Sequence, residues 1–184
     1  GINKDLRVGK LPCKSPFPTV SRSVVEEFKR NLEAVDGRCF MARDDAEVAA
    51  VLSQLTQAKR VATSDAPPLT KDLFNFEVGV TKVQAAIAET GTLVLDSAAE
   101  KNRLVSLVPP VHIAILEASR IYATLGETLA ALQSNGEVSP AVTFITGPSR
   151  TADIELTLAI GVHGPQELCV IIVEDQNTPN ANNR

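Results

Sequence analysis

Three short segments of this chain concentrate the residues that can do chemistry. The first, Ala88-Glu-Thr-Gly-Thr92, sets a carboxylate beside two hydroxyls and a glycine. Glu89 falls where a predicted helix gives way to a strand. It is a catalytic candidate there, a proton acceptor at a sheet rim, although the residue pattern alone favours an exposed helix-end glutamate. Thr90, Gly91 and Thr92 are the ligand-contacting candidates beside it, with Gly91 able to take a positive φ and turn the chain. The second segment is Thr146-Gly-Pro-Ser-Arg-Thr-Ala-Asp-Ile-Glu155. It follows a strand and leads into a predicted helix. Gly147 and Pro148 make the turn, and Ser149 or Thr151 supplies the N-cap. Unpaired N–H groups at such a helix start attract anions, and Arg150 adds a bidentate partner for carboxylate or phosphate. Asp153 is a further ligand-contacting candidate. With Glu155 it also reads as a partner for Arg150 or a complement to the helix dipole. The whole segment reads equally as a structural cap. The third, Gly161-Val-His-Gly-Pro165, fixes one imidazole between two glycines and a proline. His163 is the second catalytic candidate, an acid–base group or donor; the alternative is a loop histidine bonded to a carbonyl. His112 lies inside the apolar run Val111–Leu116 and reads as a satisfied core or rim histidine.

Other chemistries lack their motifs. No GxGxxG follows a strand, no Walker A lysine loop occurs, and no HExxH is found. The three cysteines, Cys13, Cys39 and Cys169, are odd in number and widely spaced, with no CxxC pair. No zinc ribbon or chain-borne iron–sulfur cluster is therefore expected, nor any other metal site or cofactor, and a reduced, cytoplasmic setting fits. A net charge of −4 argues against nucleic acid or an anionic membrane as partner. No apolar run is long enough to span a bilayer.

The elements that must position these segments alternate between helix and strand. A capping box, Ser23-Val-Val-Glu26, opens a helix with Val24, Phe28, Leu32 and Val35 on one face, and Gly37 sits at C′. Cys39–Met41 is a strand. Asp44 caps a helix carrying Val48, Val51, Leu52 and Leu55, and Arg60–Thr63 is a strand. Thr81-Lys-Val-Gln84 reads as another capping box, opening a helix that ends at Gly91. Strands follow at Thr92–Leu95 and Val111–Leu116. Thr124–Glu127 caps a helix with Leu125, Leu129 and Leu132 inward, and Ala141–Ile145 and Leu168–Val173 complete the pattern. The late strands are unbroken apolar runs, as strands covered on both faces read. Alternation of this kind implies a mostly parallel sheet with right-handed crossovers.

The chain has 184 residues, 44% of them apolar and 22% charged, which suits one globular domain. Six Phe, one Tyr and no Trp mean that the core rests on Val, Ile, Leu and Ala. The organisation expected is an irregular arm over 1–20, a single α/β domain over 21–174 and a polar tail over 175–184. The arm, basic and proline-bearing, lacks the apolar region of a signal peptide. Without an initiator Met, the chain is expected to be trimmed or to carry an appended residue.

Several of these segments together resemble one family. They are Gly79-Val-Thr81, Ala86–Leu93, Arg103–Pro109 with His112, Ile145–Glu155 and Gly161–Pro165. In this order they are similar to the lactate-utilisation protein C family (LutC/YkgG), which carries the LUD domain. The resemblance implies a three-layer α/β/α sandwich like that of NagB, ribose-5-phosphate isomerase (RpiA) and CoA-transferases. It also implies a cluster-free component of a bacterial system that oxidises L-lactate to pyruvate, working with iron–sulfur partner proteins. In that reading Arg150 clamps a small carboxylate or phosphate ligand, and His163 or Glu89 takes a proton from the 2-hydroxyl. The alternatives are a stand-alone sugar-phosphate isomerase or CoA-transferase-like enzyme, and a non-catalytic scaffold or regulator. One departure stands out: Ala66–Phe76 is too short for the helix and strand that family members carry there. Either a unit is lost or a stretch is absent from the sequence.

Overall fold

The computed structural model describes residues 21–64, 70–100, 102–133, 139–152, 158–160 and 164–174. The expected arm and tail lie outside the described residues, as do Cys13, Asp153, Glu155 and His163.

Helix α1 spans Arg22–Ala34 and is capped by Ser21, whose hydroxyl accepts from Ser23 N–H. The cap thus lies two residues before the Ser23 that the sequence pattern favours. Val25, Phe28 and Leu32 recur at helical spacing and are buried. At its end, Gly37 N–H bonds the Leu32 carbonyl at 2.9 Å and Asp36 N–H bonds Glu33 at 3.0 Å. This is a Schellman closure. Its left-handed residue is Asp36 (φ 62°) rather than Gly37. Gly37 is needed instead for space, since a Cβ there would sit 2.5 Å from Leu32. Strand β1 (Arg38–Ala42) follows, then α2 (Asp45–Leu55), whose N-cap Asp44 accepts from Glu47 N–H.

β1 joins β2 (Val61–Thr63), β3 (Val78–Lys82), β6 (Val111–Glu117) and β11 (Glu167–Val173) in one five-stranded sheet of order β1-β11-β6-β3-β2, parallel throughout. Period-two alternation divides the apolar residues of β11 between two cores. Leu168, Val170 and Ile172 pack with Phe28 and Leu32 of α1 on one face. Cys169 and Ile171 pack with Val48 and Leu52 of α2 on the other. Helices on both faces of a parallel sheet give the expected α/β layering and explain why β11 reads as a continuous apolar run. β2 pairs directly with β3, and Leu73 of the 3₁₀ turn Thr70–Asn75 is buried beside them.

A second sheet lies on the α1 side. It holds β4 (Ala85–Ile87), β5 (Thr92–Asp96), β7 (Ile121–Tyr122) and β8 (Val142–Ile145) in the order β7-β4-β5-β8. This corrects the helix expected over 81–91. Only a 3₁₀ turn at Ala88–Thr90 is helical there. Ala85, Ala86 and Ile87 are all buried and pair antiparallel with β5. Burial on both faces rewards sheet pairing over a local capping signal. Helix α3 (Leu125–Gln133) packs against β4 and β7, yet its fully buried residue is Thr128, while Leu125 and Leu129 stay exposed. β8 is an edge strand rather than a covered one, with Phe144 46% exposed.

The described residues after Ser149 do not form the expected helix start. Arg150–Ala152 forms β9, paired antiparallel with β10 (Leu158–Ile160). No helix start, and hence no dipole-based anion site, exists at Ser149. Among the described residues no helix is long and apolar enough to cross a membrane.

Candidate functional site

The C-terminal end of α1 gathers the first two candidate segments. Gly91 takes φ 64°, and a Cβ on it would lie 2.3 Å from Leu32 N and 2.6 Å from Asn31 C. Backbone therefore meets backbone there, and Asn31 Nδ2 donates to the Ala88 carbonyl at 2.7 Å. Gly147 repeats the arrangement: φ is 74°, and a Cβ would fall 2.4 Å from the Val35 carbonyl oxygen. Only glycine satisfies both the left-handed conformation and the close approach.

Hydroxyls connect the two turns. Thr90 Oγ1 and Thr92 Oγ1 are 2.7 Å apart, and Thr92 Oγ1 lies 2.8 Å from Thr146 Oγ1. The third segment closes on the second through Ser149 N–H, which donates to the Pro165 carbonyl at 2.8 Å. Together Val35, Leu107, the stretch from Thr143 to Arg150, Gly164 and Pro165 enclose a cleft of about 530 Å³. Val35, Leu107 and Pro165 each precede a strand of the parallel sheet. The cleft therefore opens at the amino ends of β1, β6 and β11.

The two charged candidates among the described residues have structural partners. Arg150 pairs with Asp36 and its Nη2 donates to the Val35 carbonyl at 3.4 Å. It thus serves as a cationic cap on the α1 C-terminus, where the helix dipole favours positive charge. Glu89 does not line the cleft. Its Oε1 accepts from Leu125 N–H at 2.9 Å, capping the first turn of α3. Replacing Glu89 with Ala is expected to remove that cap and cost about 1 kcal/mol in urea melts. Glu89→Gln retains an acceptor oxygen and is expected to melt with the wild type. A loss as large as that of the alanine variant would contradict the capping role.

His112 is wholly buried, with Nε2 2.9 Å from Thr81 Oγ1 and no partner on Nδ1 among the described residues. The expectation of a satisfied histidine holds at one nitrogen. Burial pushes its pKa down to about 4, so the ring is neutral near neutrality. Glu100 is the second buried ionisable group, and burial pushes its carboxyl up to about 7. Burial, with Glu33 nearby, raises the Cys39 thiol to about 12, and burial raises Cys169 as well. Neither is an activated thiolate. Among the described residues no three His, Cys, Asp or Glu side chains are placed to hold a metal ion.

A second cavity, about 280 Å³, was not foreseen from the sequence. Gln84, Asp96, Arg120, Tyr122 and Leu132 line it together with four alanines. Gln84 follows β3 and Arg120 follows β6, so this cavity lies beyond the carboxyl ends of those strands. The available signal was a charged pair three residues apart, Glu117 and Arg120, at the end of a buried strand.

Residues 58–173 match the family model of the LUD domain. The chain belongs to the LUD domain family. An uncharacterized protein of Neisseria meningitidis is 44% identical over 111 residues, covering 57% of this chain and 46% of that protein. Lactate utilization protein C of Bacillus licheniformis is 42% identical over 103 residues, covering 54% of this chain and 43% of that protein. The protein of the same name from an Exiguobacterium species is 34% identical over 149 residues, 78% of this chain and 65% of its own length. This LUD chain therefore spans about half the length of the first relatives it matches. A crystal structure of a DUF162 family protein from Deinococcus radiodurans shares its fold, with a TM-score of 0.63 and 23% identity, covering 85% of this chain and 99% of that one.

Proposed function

We propose that this LUD chain works in L-lactate utilisation, as the component of an L-lactate-oxidising system that holds no iron–sulfur cluster itself. The observation that carries this reading is its identity of about 40% to proteins named lactate utilization protein C. Electrons then leave through iron–sulfur partner proteins in a cytoplasmic assembly. The cleft beneath Ser149 and Thr146 is the place for a small carboxylate or phosphate, with hydroxyls and backbone amides as its contacts. Deleting the gene, in a strain without a paralogue, is expected to abolish growth on L-lactate as sole carbon source. Normal growth would overturn the reading.

One observation favours a non-catalytic role within that system. Both charged candidates described, Glu89 and Arg150, are engaged in holding helix ends. Glu89→Gln separates the possibilities, because it keeps the α3 cap while removing the carboxylate. Complementation by this variant supports the non-catalytic role, and failure by a folded variant supports proton transfer by Glu89.

A further inference from the structure

We infer that the cavity lined by Arg120 and Asp96 binds a small α-amino acid in its zwitterionic form. The cavity presents one cation and one anion, and the two do not pair with each other. Arg120 Nε donates to Glu117 at 3.0 Å, and Nη1 donates to the Gln84 carbonyl at 3.3 Å. Nη2 has no bond to a described residue. Asp96 Oδ1 accepts from Ala98 N–H at 2.8 Å and from Ser139 Oγ, while Oδ2 has no such bond. Gln84 holds the pair apart. Its carbonyl takes Arg120, its Oε1 accepts from Asp96 N–H at 2.8 Å, and its Nε2 donates to the Lys82 carbonyl at 2.8 Å. Opposite charges in one half-buried space attract strongly, yet each is tied to the wall by its inner edge. A ligand can therefore bridge them without first breaking an ion pair.

These charges set the ligand chemistry. A carboxylate fits Arg120 and an ammonium fits Asp96, so an α-amino acid answers both. A simple acid, with or without a hydroxyl, leaves Asp96 without a counter-ion and adds a like charge beside it. Arg120 is already paired with Glu117, so the local balance is one cation to two anions. That balance disfavours any ligand of net negative charge. A simple amine leaves the outer edge of Arg120 unanswered. The remaining walls, Ala85, Ala98, Ala99, Ala131 and Leu132, suit a short aliphatic side chain. At about 280 Å³ the space admits an amino acid and excludes a nucleotide. The assignment stands on the cavity's own groups and does not depend on a role in lactate utilisation.

The test is calorimetric titration of the intact protein with two amino acids and the fragments that lack one charge. L-alanine is set against propionate and ethylamine, and L-leucine against isocaproate and isoamylamine. At least one amino acid is expected to bind tenfold or more tightly than both of its fragments, since each fragment leaves one charge of the cavity unpaired. Asp96→Asn keeps the Oδ1 acceptor for Ala98 and Ser139 and turns the free oxygen into a donor. It is expected to weaken amino-acid binding by tenfold or more and to erase the preference over the matching acid. Ala99 is exposed at the cavity wall, and Ala99→Leu fills the space without touching the core. It is expected to abolish binding in a protein that melts like the wild type, and it decides the matter if Asp96→Asn fails to fold. Saturation by neither amino acid at millimolar concentrations would overturn the proposal. So would a fragment that binds as tightly as its amino acid, or binding that survives Ala99→Leu. A growth defect on deletion reads the pathway, whereas the titration reads the cavity, so either can fail alone.

Discussion

Gly91→Ala is expected to destabilise the protein by about 4 kcal/mol or more, a large share of the stability of an ordinary domain. Two costs add. A non-glycine residue at φ 64° pays roughly 1 kcal/mol for the left-handed conformation. The larger cost is overlap, because the new methyl group would lie 2.3 Å from Leu32 N and 2.6 Å from Asn31 C. These are backbone atoms on the packed side of α1 and cannot rotate away. Relief requires the second sheet to move off α1, breaking the bond from Asn31 Nδ2 to the Ala88 carbonyl. Gly126→Ala is the natural control. It lies within α3, and its nearest neighbour would be Thr124 Oγ1 at 3.9 Å. There the methyl group meets open space and the helix gains propensity, so stability is expected to rise by up to about 1 kcal/mol. Urea melts of both variants check the pair. A Gly91→Ala protein within about 1 kcal/mol of wild type would refute the close packing of this turn on α1.

The dependence of stability on pH is expected to conceal two opposed titrations. His112 has a folded pKa of about 4 against an ordinary 6.5. Between these values the unfolded chain binds a proton that the folded one refuses. Its contribution is therefore complete above pH 6.5 and is withdrawn as pH falls through about 4, by roughly 3 kcal/mol. Glu100 runs the other way, with a folded pKa of about 7 against 4.5. The folded state holds a proton in that window which the unfolded state has lost. Stability from this group is complete below pH 4.5 and disappears as pH rises through about 7. Together they are expected to give a shallow profile between pH 4.5 and 6.5. Glu100→Gln is expected to expose the acid loss due to His112, and His112→Gln the opposite slope. Denaturant melts across this range measure both. Identical slopes in wild type and Glu100→Gln would show that Glu100 does not titrate as described.

What the sequence disclosed follows from how local each signal is. The β11 run Leu168–Val173 was legible because both faces of the strand are covered, so every residue is apolar. The cap of α2 was legible because Asp44 and Glu47 complete it within four residues. Gly91 and Gly147 were legible as turn formers from their neighbours alone. The stretch 81–91 misled because capping-box residues there sit in and after a strand, and their fate was decided by β5 and β7. Arg150 was placed on a helix start because nothing near it in the chain names its true partners, Val35 and Asp36. The Arg120 cavity was hidden for the same reason, since its floor is the backbone of Gln84 and its far wall is Asp96.

The convergence on one helix end has a kinetic consequence. The bonds that bring distant parts of the chain onto this helix end span 57 residues from Asn31 to Ala88 and 115 from Val35 to Arg150. Contacts so distant in sequence form only after long loops close, and closure entropy delays them relative to local helices. Helix α1 leaves the ribosome before these partners, yet its end stays bare until the chain beyond Gly147 has emerged. The cleft is thus among the last features to assemble, so its completion reports that nearly the whole domain has folded around it.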